Sequence, residues 1–177
     1  PRLGDFNRQH PQIDLWLFTS FEPPDMATDS IDLAIRDDLS AQADCTFNVL
    51  CTDRLYPACH PSLLALTPEQ RVTLHGEREM DWSHWAVAGG AHVGQRDSGL
   101  NFSDPGLLLD AACNGLGIAL VSQLLAQHAR DAGLLQPLTE QRVRGANWAW
   151  LLHRDSEHNP LARHFCQWLQ SALPAGA

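Results

Sequence analysis

The sequence contains no lysine: all 12 basic residues are arginine, set against 21 acidic ones, and the formal charge is −9. A surface this acidic repels phosphate, so the segment by itself is not expected to hold nucleic acid through backbone contacts. No run approaches the roughly 20 apolar residues that cross a bilayer, and the first residues lack the basic-then-apolar order of a secretory leader. Neither a membrane span nor an export signal is therefore expected. The nine histidines and five cysteines show no HxxxH, HExxH or CxxC spacing, so no metal and no cofactor are expected. Gly115-Leu116-Gly117 is too short for a dinucleotide fingerprint and follows a helical pattern instead of a strand. With no phosphate loop and no catalytic triad, catalytic residues are not expected, and the chain reads as a non-enzyme. Internal repeats, low-complexity tracts and long linkers are also missing.

The five cysteines (45, 51, 59, 113 and 166) are an odd number and lie mostly in apolar runs. This points to reduced, buried thiols in a cytoplasmic setting. A Cys45 to Cys51 disulfide is disfavoured, because a regular strand through both holds them too far apart. What is present suits a globular protein: 177 residues, 44% hydrophobic and 19% charged, enough for one ordinary domain or two small lobes around a core. Pro1-Arg2-Leu3 runs at once into a helical pattern without a Met, and the expectation is a fragment of a longer chain.

The most informative stretch is Gly99 to Leu138. Leu100-Asn101-Phe102 reads as a short strand, and Ser103-Asp104-Pro105 pairs a capping side chain with a proline fit for a first helical turn. Leu107, Leu108, Ala111 and Ala112 continue the helix until Asn114-Gly115 ends it. Leu116 to Val121 is a strand buried on both faces, Ser122 caps a second helix that runs to Gly133, and Leu134 to Leu138 is one more strand. The order is β-α-β-α-β.

Upstream, a helix through Leu3 and Phe6 must stop near His10, before Pro11. Ile13 to Phe18 is expected to be a strand, Asp25 to Asp29 a helical turn, and Ile31 to Ile35 a strand ending on Arg36-Asp37-Asp38. Phe47, Val49 and Cys51 alternate with polar residues as in a half-exposed strand, which Arg54 to Cys59 extends. Ser62 to Leu66 predicts a helical turn, and Thr67-Pro68-Glu69-Gln70 carries a cap, a first-turn proline and a capping-box Gln. Trp82 and Trp85 share one helical face ended by Gly89-Gly90, and Gly94 to Gly99 is turn-like. Gln141 to Gly145 reads as a polar loop and Trp148 to Leu152 as a strand. Asn159-Pro160 opens a last helix with a stripe of Leu161, Phe165, Trp168, Leu169 and Leu173, closed by Pro174.

Several of these phrases, taken in order, resemble the effector-binding domain of LysR-type transcriptional regulators. They are Leu3-Gly4-Asp5-Phe6 with His10-Pro11, Ile31-Asp32-Leu33-Ala34-Ile35-Arg36, and Pro57-Ala58-Cys59-His60-Pro61, followed by the Trp82 and Trp85 pair, Gly115-Leu116-Gly117-Ile118-Ala119-Leu120, and Phe165 with Trp168-Leu169. Within the family the closest likeness is to the branch of the glycine-cleavage and D-serine-responsive activators. The resemblance implies an α/β fold of two lobes, like a type 2 periplasmic binding protein, with two crossing hinge strands and an effector in the cleft. Lobe I would hold 1–56 and 154–177 and lobe II 57–153, with crossings near 55–61 and 146–153. The family's first strand and its N-terminal helix-turn-helix are expected upstream of Pro1, so that DNA is a partner only through a domain outside this chain. A homodimer or homotetramer in the cytoplasm is implied, with the Leu107 to Cys113 helix as one side of the contact. The alternative is the solute-binding protein of a transporter.

Candidate ligand contacts fall into groups. Thr19-Ser20 and Arg36-Asp37 end two strands and would share a carboxyl edge if the sheet were parallel, the alternative being solvated loops. Ser103 and Asp104, with Phe102 before them, stand where helix N–H groups attract an anion, the alternative being an ordinary cap. By the resemblance, that segment faces the cleft, the Cys59-His60 phrase lines the hinge, and Trp148 lies on the second crossing. Asp104 would repel an anion but receive an ammonium, so a small amino acid or related carboxylate is the expected effector. Cys59 and His60 point to opposite faces of a strand and do not form a nucleophile and its base.

Overall fold

The computed structural model describes residues 2–20, 22–26, 31–37, 44–77, 80–94 and 100–173. In chain order the elements are α1 (Leu3–Gln9), β1 (Leu33–Arg36), β2 (Cys45–Cys59), β3 (Thr73–Gly76) and α2 (Trp82–Val87). They continue with β4 (Asn101–Phe102), α3 (Pro105–Cys113), β5 (Ile118–Ser122) and α4 (Gln123–Asp131), then β6 (Gln136–Pro137), β7 (Val143–His153) and α5 (Pro160–Ala172). The chain forms two compact units, Pro1–Cys51 with Asn147–Ala177, and Thr52–Ala146. It passes between them twice, once inside β2 and once inside β7.

In the first unit, β1 pairs antiparallel with β7, Leu33 opposite Leu152 and Arg36 opposite Ala149. The Thr46 hydroxyl of β2 donates to the Leu152 carbonyl at 3.4 Å. Trp150, Leu152, Ala162 and Cys166 are buried together, with Leu33, Leu50 and Leu169 against them. Phe6 is wholly buried. Its ring meets Phe165 edge-on at 5.1 Å and Trp168 at 5.0 Å, which docks α1 on α5. The Arg2 guanidinium donates to the Ala172 carbonyl nearby. Asn159 caps α5 by accepting from the Leu161 N–H at 3.0 Å, as its sequence predicts.

The second unit carries the β-α-β-α-β order read from the sequence. Antiparallel β2 and β5 pair Leu55 with Ser122 and Ala58 with Ala119. β3 runs parallel to both β5 and β4, and β6 lies antiparallel on β2. All five residues of β5 are buried, as expected for a strand covered on both faces. Gly115 and Gly133 end α3 and α4 with φ of 76° and 73°, a conformation that costs glycine nothing. One side of the sheet packs Tyr56, Leu74, Leu108 and Ala112 with α3 and α4. Leu55, Trp82, Trp85, Ile118 and Leu120 form a second cluster with α2.

Several expectations are corrected. Residues 13–18 form no strand: among the described residues no ladder reaches them, and Trp16, Leu17 and Phe18 are 76%, 68% and 76% exposed. An apolar run alone does not make a strand when no neighbour accepts its backbone hydrogen bonds. The next strand begins at Leu33, and it runs antiparallel to β7, so Thr19-Ser20 and Arg36-Asp37 share no parallel carboxyl edge. Thr67 and Gln70 do form the capping box, yet 61–63 and 68–70 are single 3₁₀ turns. Of the predicted loop 141–145 only Gln141 and Arg142 lie outside a strand: Val143 is buried and opens β7, a start hidden by exposed Arg144 on the other face. The short strand β3 has no counterpart in the sequence reading, because four residues, of which only Thr73 and Leu74 are buried, leave no period to detect. On α5 the buried line is Ala162, Cys166 and Ala172, while Leu161 is exposed. None of the five cysteines forms a disulfide. Gly94 is buried, whereas 95–99, residues 27–29 of the first predicted turn, Asp38 and Pro174 lie outside the described residues.

The Tyr56 hydroxyl is buried with no hydrogen-bond partner, while the Arg142 guanidinium lies 4.2 Å over its ring. Tyr56→Phe keeps the ring contact and removes the unpaired oxygen. The variant is expected to match or exceed the native stability by up to about 1 kcal/mol in urea denaturation. A loss above that size would mean that the hydroxyl has a partner in solution.

Candidate functional site

In the first unit the turn after the exposed apolar segment is closed by Ser20. Its hydroxyl accepts from the Glu22 N–H and donates to the Glu22 carbonyl, both at 3.1 Å. The Arg36 guanidinium at the end of β1 donates to that same carbonyl at 3.1 Å. Ser20 and Arg36 thus meet through a backbone oxygen instead of a shared strand edge. Ser20 and Glu22 form a serine turn, where the sequence reading had only the end of a strand. Thr19 is exposed beside it. Arg36 pairs with Ala149, so half-buried Trp148 lies one step further along β7 on the side of Asp37.

In the second unit β4 ends on half-buried Phe102, and Ser103 and Asp104 lead into α3, both exposed. The cap is Asp104: its carboxylate accepts from the Leu107 N–H at 2.8 Å. That carboxylate already answers the helix dipole, so the place favours a cation or a neutral donor over a second anion. Cys59 is fully enclosed among Leu55, Trp85 and Ile118, and burial pushes its thiol up, against a smaller downward pull from Arg71. It faces core and not solvent. His60, just past it, points the other way, with Nδ1 2.8 Å from the Ser62 hydroxyl.

One buried polar group escaped the sequence reading. Asp53 on β2, 3% exposed, accepts from the Arg54 N–H at 2.8 Å and the Leu124 N–H at 3.4 Å. Ser122 and Gln123 also hydrogen-bond to it. The carboxylate therefore caps α4 from the neighbouring strand. Burial raises its pKa above the ordinary carboxylate value, and these hydrogen bonds recover only part of the shift. No local motif announces such a contact, since the partners are brought together only by β2 pairing with β5. Among the described residues no three His, Cys, Asp or Glu side chains gather as metal ligands would, and no helix is long and apolar enough to cross a membrane.

Two α/β units are traversed twice by long strands, with polar side chains at strand and helix ends. The LysR substrate binding domain family matches residues 1–174, and the chain belongs to it. The chain is similar to the HTH-type transcriptional activator AmpR of Citrobacter freundii. The two are 29% identical over 180 residues, covering 98% of this chain and 62% of that protein. It is similar also to the glycine cleavage system transcriptional activator of Escherichia coli K12, at 30% identity over 166 residues, 89% of this chain and 54% of that protein. The solved AmpR effector binding domain from Citrobacter freundii superposes with a TM-score of 0.74 at 23% identity, covering 97% of this chain and 88% of that one. The fold is therefore the periplasmic-binding-protein-like type 2 fold of LysR effector domains. This chain spans 54–62% of the length of the curated relatives named here. Those relatives are transcriptional activators, which sets the transporter solute-binding alternative aside.

Proposed function

We propose that this chain senses a small metabolite for a LysR-type transcriptional regulator that binds DNA through a helix-turn-helix on the same polypeptide. The carrying observation is the family match over residues 1–174, and the regulatory names of the relatives support it. On this reading the domain acts by binding and not by catalysis, works in the cytoplasm where the DNA is, and assembles as a homodimer or homotetramer. The two compact units serve as the regulatory lobes. An effector acts by differing in affinity between two arrangements of the domain, typically by about 1–3 kcal/mol.

Each unit offers one candidate group for the effector. Thr19, Ser20, Arg36, Asp37 and Trp148 provide hydroxyls, a guanidinium, a carboxylate and a ring, which together suit a small zwitterion. In the second unit His60 and the Phe102-Ser103-Asp104 corner supply donors and a carboxylate for an ammonium group. The effector we infer is a small amino acid or a related carboxylate. Calorimetry on the full gene product with an amino-acid panel is expected to give heat, and Arg36→Ala is expected to weaken binding by about tenfold or more. Heat only with sugars or aromatic acids would sink the effector class. Operator binding indifferent to every small molecule tested would sink the sensing role.

A further inference from the structure

We propose that His60 and His153, which follow or end the two strands that pass between the units, are acid-responsive turn locks of unequal strength. The two residues adopt nearly the same backbone conformation, φ −61° and ψ 142° for His60 and φ −64° and ψ 144° for His153. Each caps a 3₁₀ turn with its ring: Nδ1 of His60 accepts from the Ser62 N–H at 3.2 Å, and Nδ1 of His153 from the Asp155 N–H at 3.3 Å. Such a cap requires an unprotonated Nδ1, because a proton taken up there from solvent turns the acceptor into a donor facing another donor.

The two locks differ in what a protonated ring finds. His60 has Ser62 as its partner, through the backbone N–H and a hydroxyl 2.8 Å away, and the facing turn at Gly115 carries no charge. Protonation therefore removes the cap and adds only a neutral acceptor. Around His153 the charged groups are Asp155, with a carboxylate oxygen 3.6 Å from Nδ1, the neighbouring Arg154, paired with Asp44 at 3.1 Å, and Asp32, which follows the Leu33–Leu152 pair in register and accepts from the Ser156 hydroxyl and the Asn159 amide of the same turn at 3.1 and 3.4 Å. A protonated His153 loses the Asp155 N–H but gains the Asp155 carboxylate, so its turn stays held. The first turn is the one acid releases. It carries Leu63 against the Trp82 and Trp85 cluster, and the Leu63 and Leu64 carbonyls accept from Arg71 at 3.3 and 3.1 Å just before β3. Its release loosens the start of β3.

The test is amide hydrogen exchange by NMR on the full chain at about pH 7.5 and about pH 5.5, corrected for intrinsic exchange. Protection at Ser62 is expected to fall by about fivefold at the lower pH, the size of an ordinary cap, while Asp155 changes by less than about twofold. His60→Asn supplies an acceptor that does not titrate, and Ser62 protection should then be the same at both pH values. Asp155→Asn should make the second turn as acid-labile as the first. Equal protection of Ser62 at both pH values in the native chain, or a pH effect that survives His60→Asn, overturns the proposal.

Discussion

Truncating Trp85 to alanine is expected to lower the stability of the chain by about 3–5 kcal/mol, the usual range for a large buried aromatic. The ring is completely buried between Leu55, Cys59, Ile118, Leu120 and Val143, where its removal leaves a cavity the sheet cannot close. Its Nε1 also donates to the Ala91 carbonyl at 2.9 Å, so the loop after α2 loses its anchor with the ring. Gly90 shows how closely that loop is drawn in: a Cβ there would run into the Trp85 ring. Urea denaturation should register the loss as a lower midpoint with an unchanged slope. Val87→Ala, at a 90% exposed position on the same helix, is the control and should stay within about 0.5 kcal/mol. A Trp85→Ala cost no larger than that of Val87→Ala would show that α2 is not held by its tryptophans.

Asp53→Ala is expected to cost about 1–2 kcal/mol near neutral pH, because it leaves the partly buried Arg54 and Leu124 N–H groups without their acceptor. The pH dependence of Asp53→Asn is the more telling measurement. Burial raises the native pKa above the value in the unfolded chain, so between the two values the native state carries more protons. The proton-linked part of Asp53's contribution to stability is therefore complete below the unfolded value and is lost as pH rises through the raised native one, while its role as acceptor for the two N–H groups remains. Stability of the native chain relative to Asp53→Asn should increase as the pH is lowered through the raised native value toward the unfolded carboxylate value of about 4, against the usual trend of acid denaturation. A difference that is flat with pH would mean the carboxylate is better hydrated than its 3% exposure indicates.

Much of the second unit was legible in the sequence because its signals are local. Ser122 caps α4 through the Leu125 N–H, and the Trp82 and Trp85 pair needed only a helical period to be placed on one face, the face the structure buries. Gly115 ends α3 where a left-handed residue was called for. The candidate site was legible only as a set of separate polar corners. That Ser20 and Arg36 meet on one carbonyl, that Asp104 and not Ser103 caps α3, and that Cys59 is enclosed while His60 caps a turn are all facts of three-dimensional placement.

By itself the sequence determined the family, the helix limits and the succession β-α-β-α-β, since caps, glycine stops and apolar periods act within a few residues. Only the tertiary structure decided which apolar runs became strands. Residues 13–18 carry a stronger apolar signal than 73–76, yet 13–18 pair with no described strand while 73–76 lie between β4 and β5. It also placed Asp53 beneath α4, since the strand pairing of Leu55 with Ser122 brings that carboxylate to the helix start. The physical reason is the same in both cases. A backbone group or a buried charge is stable only with its partner in place, and the partner lies far away along the chain.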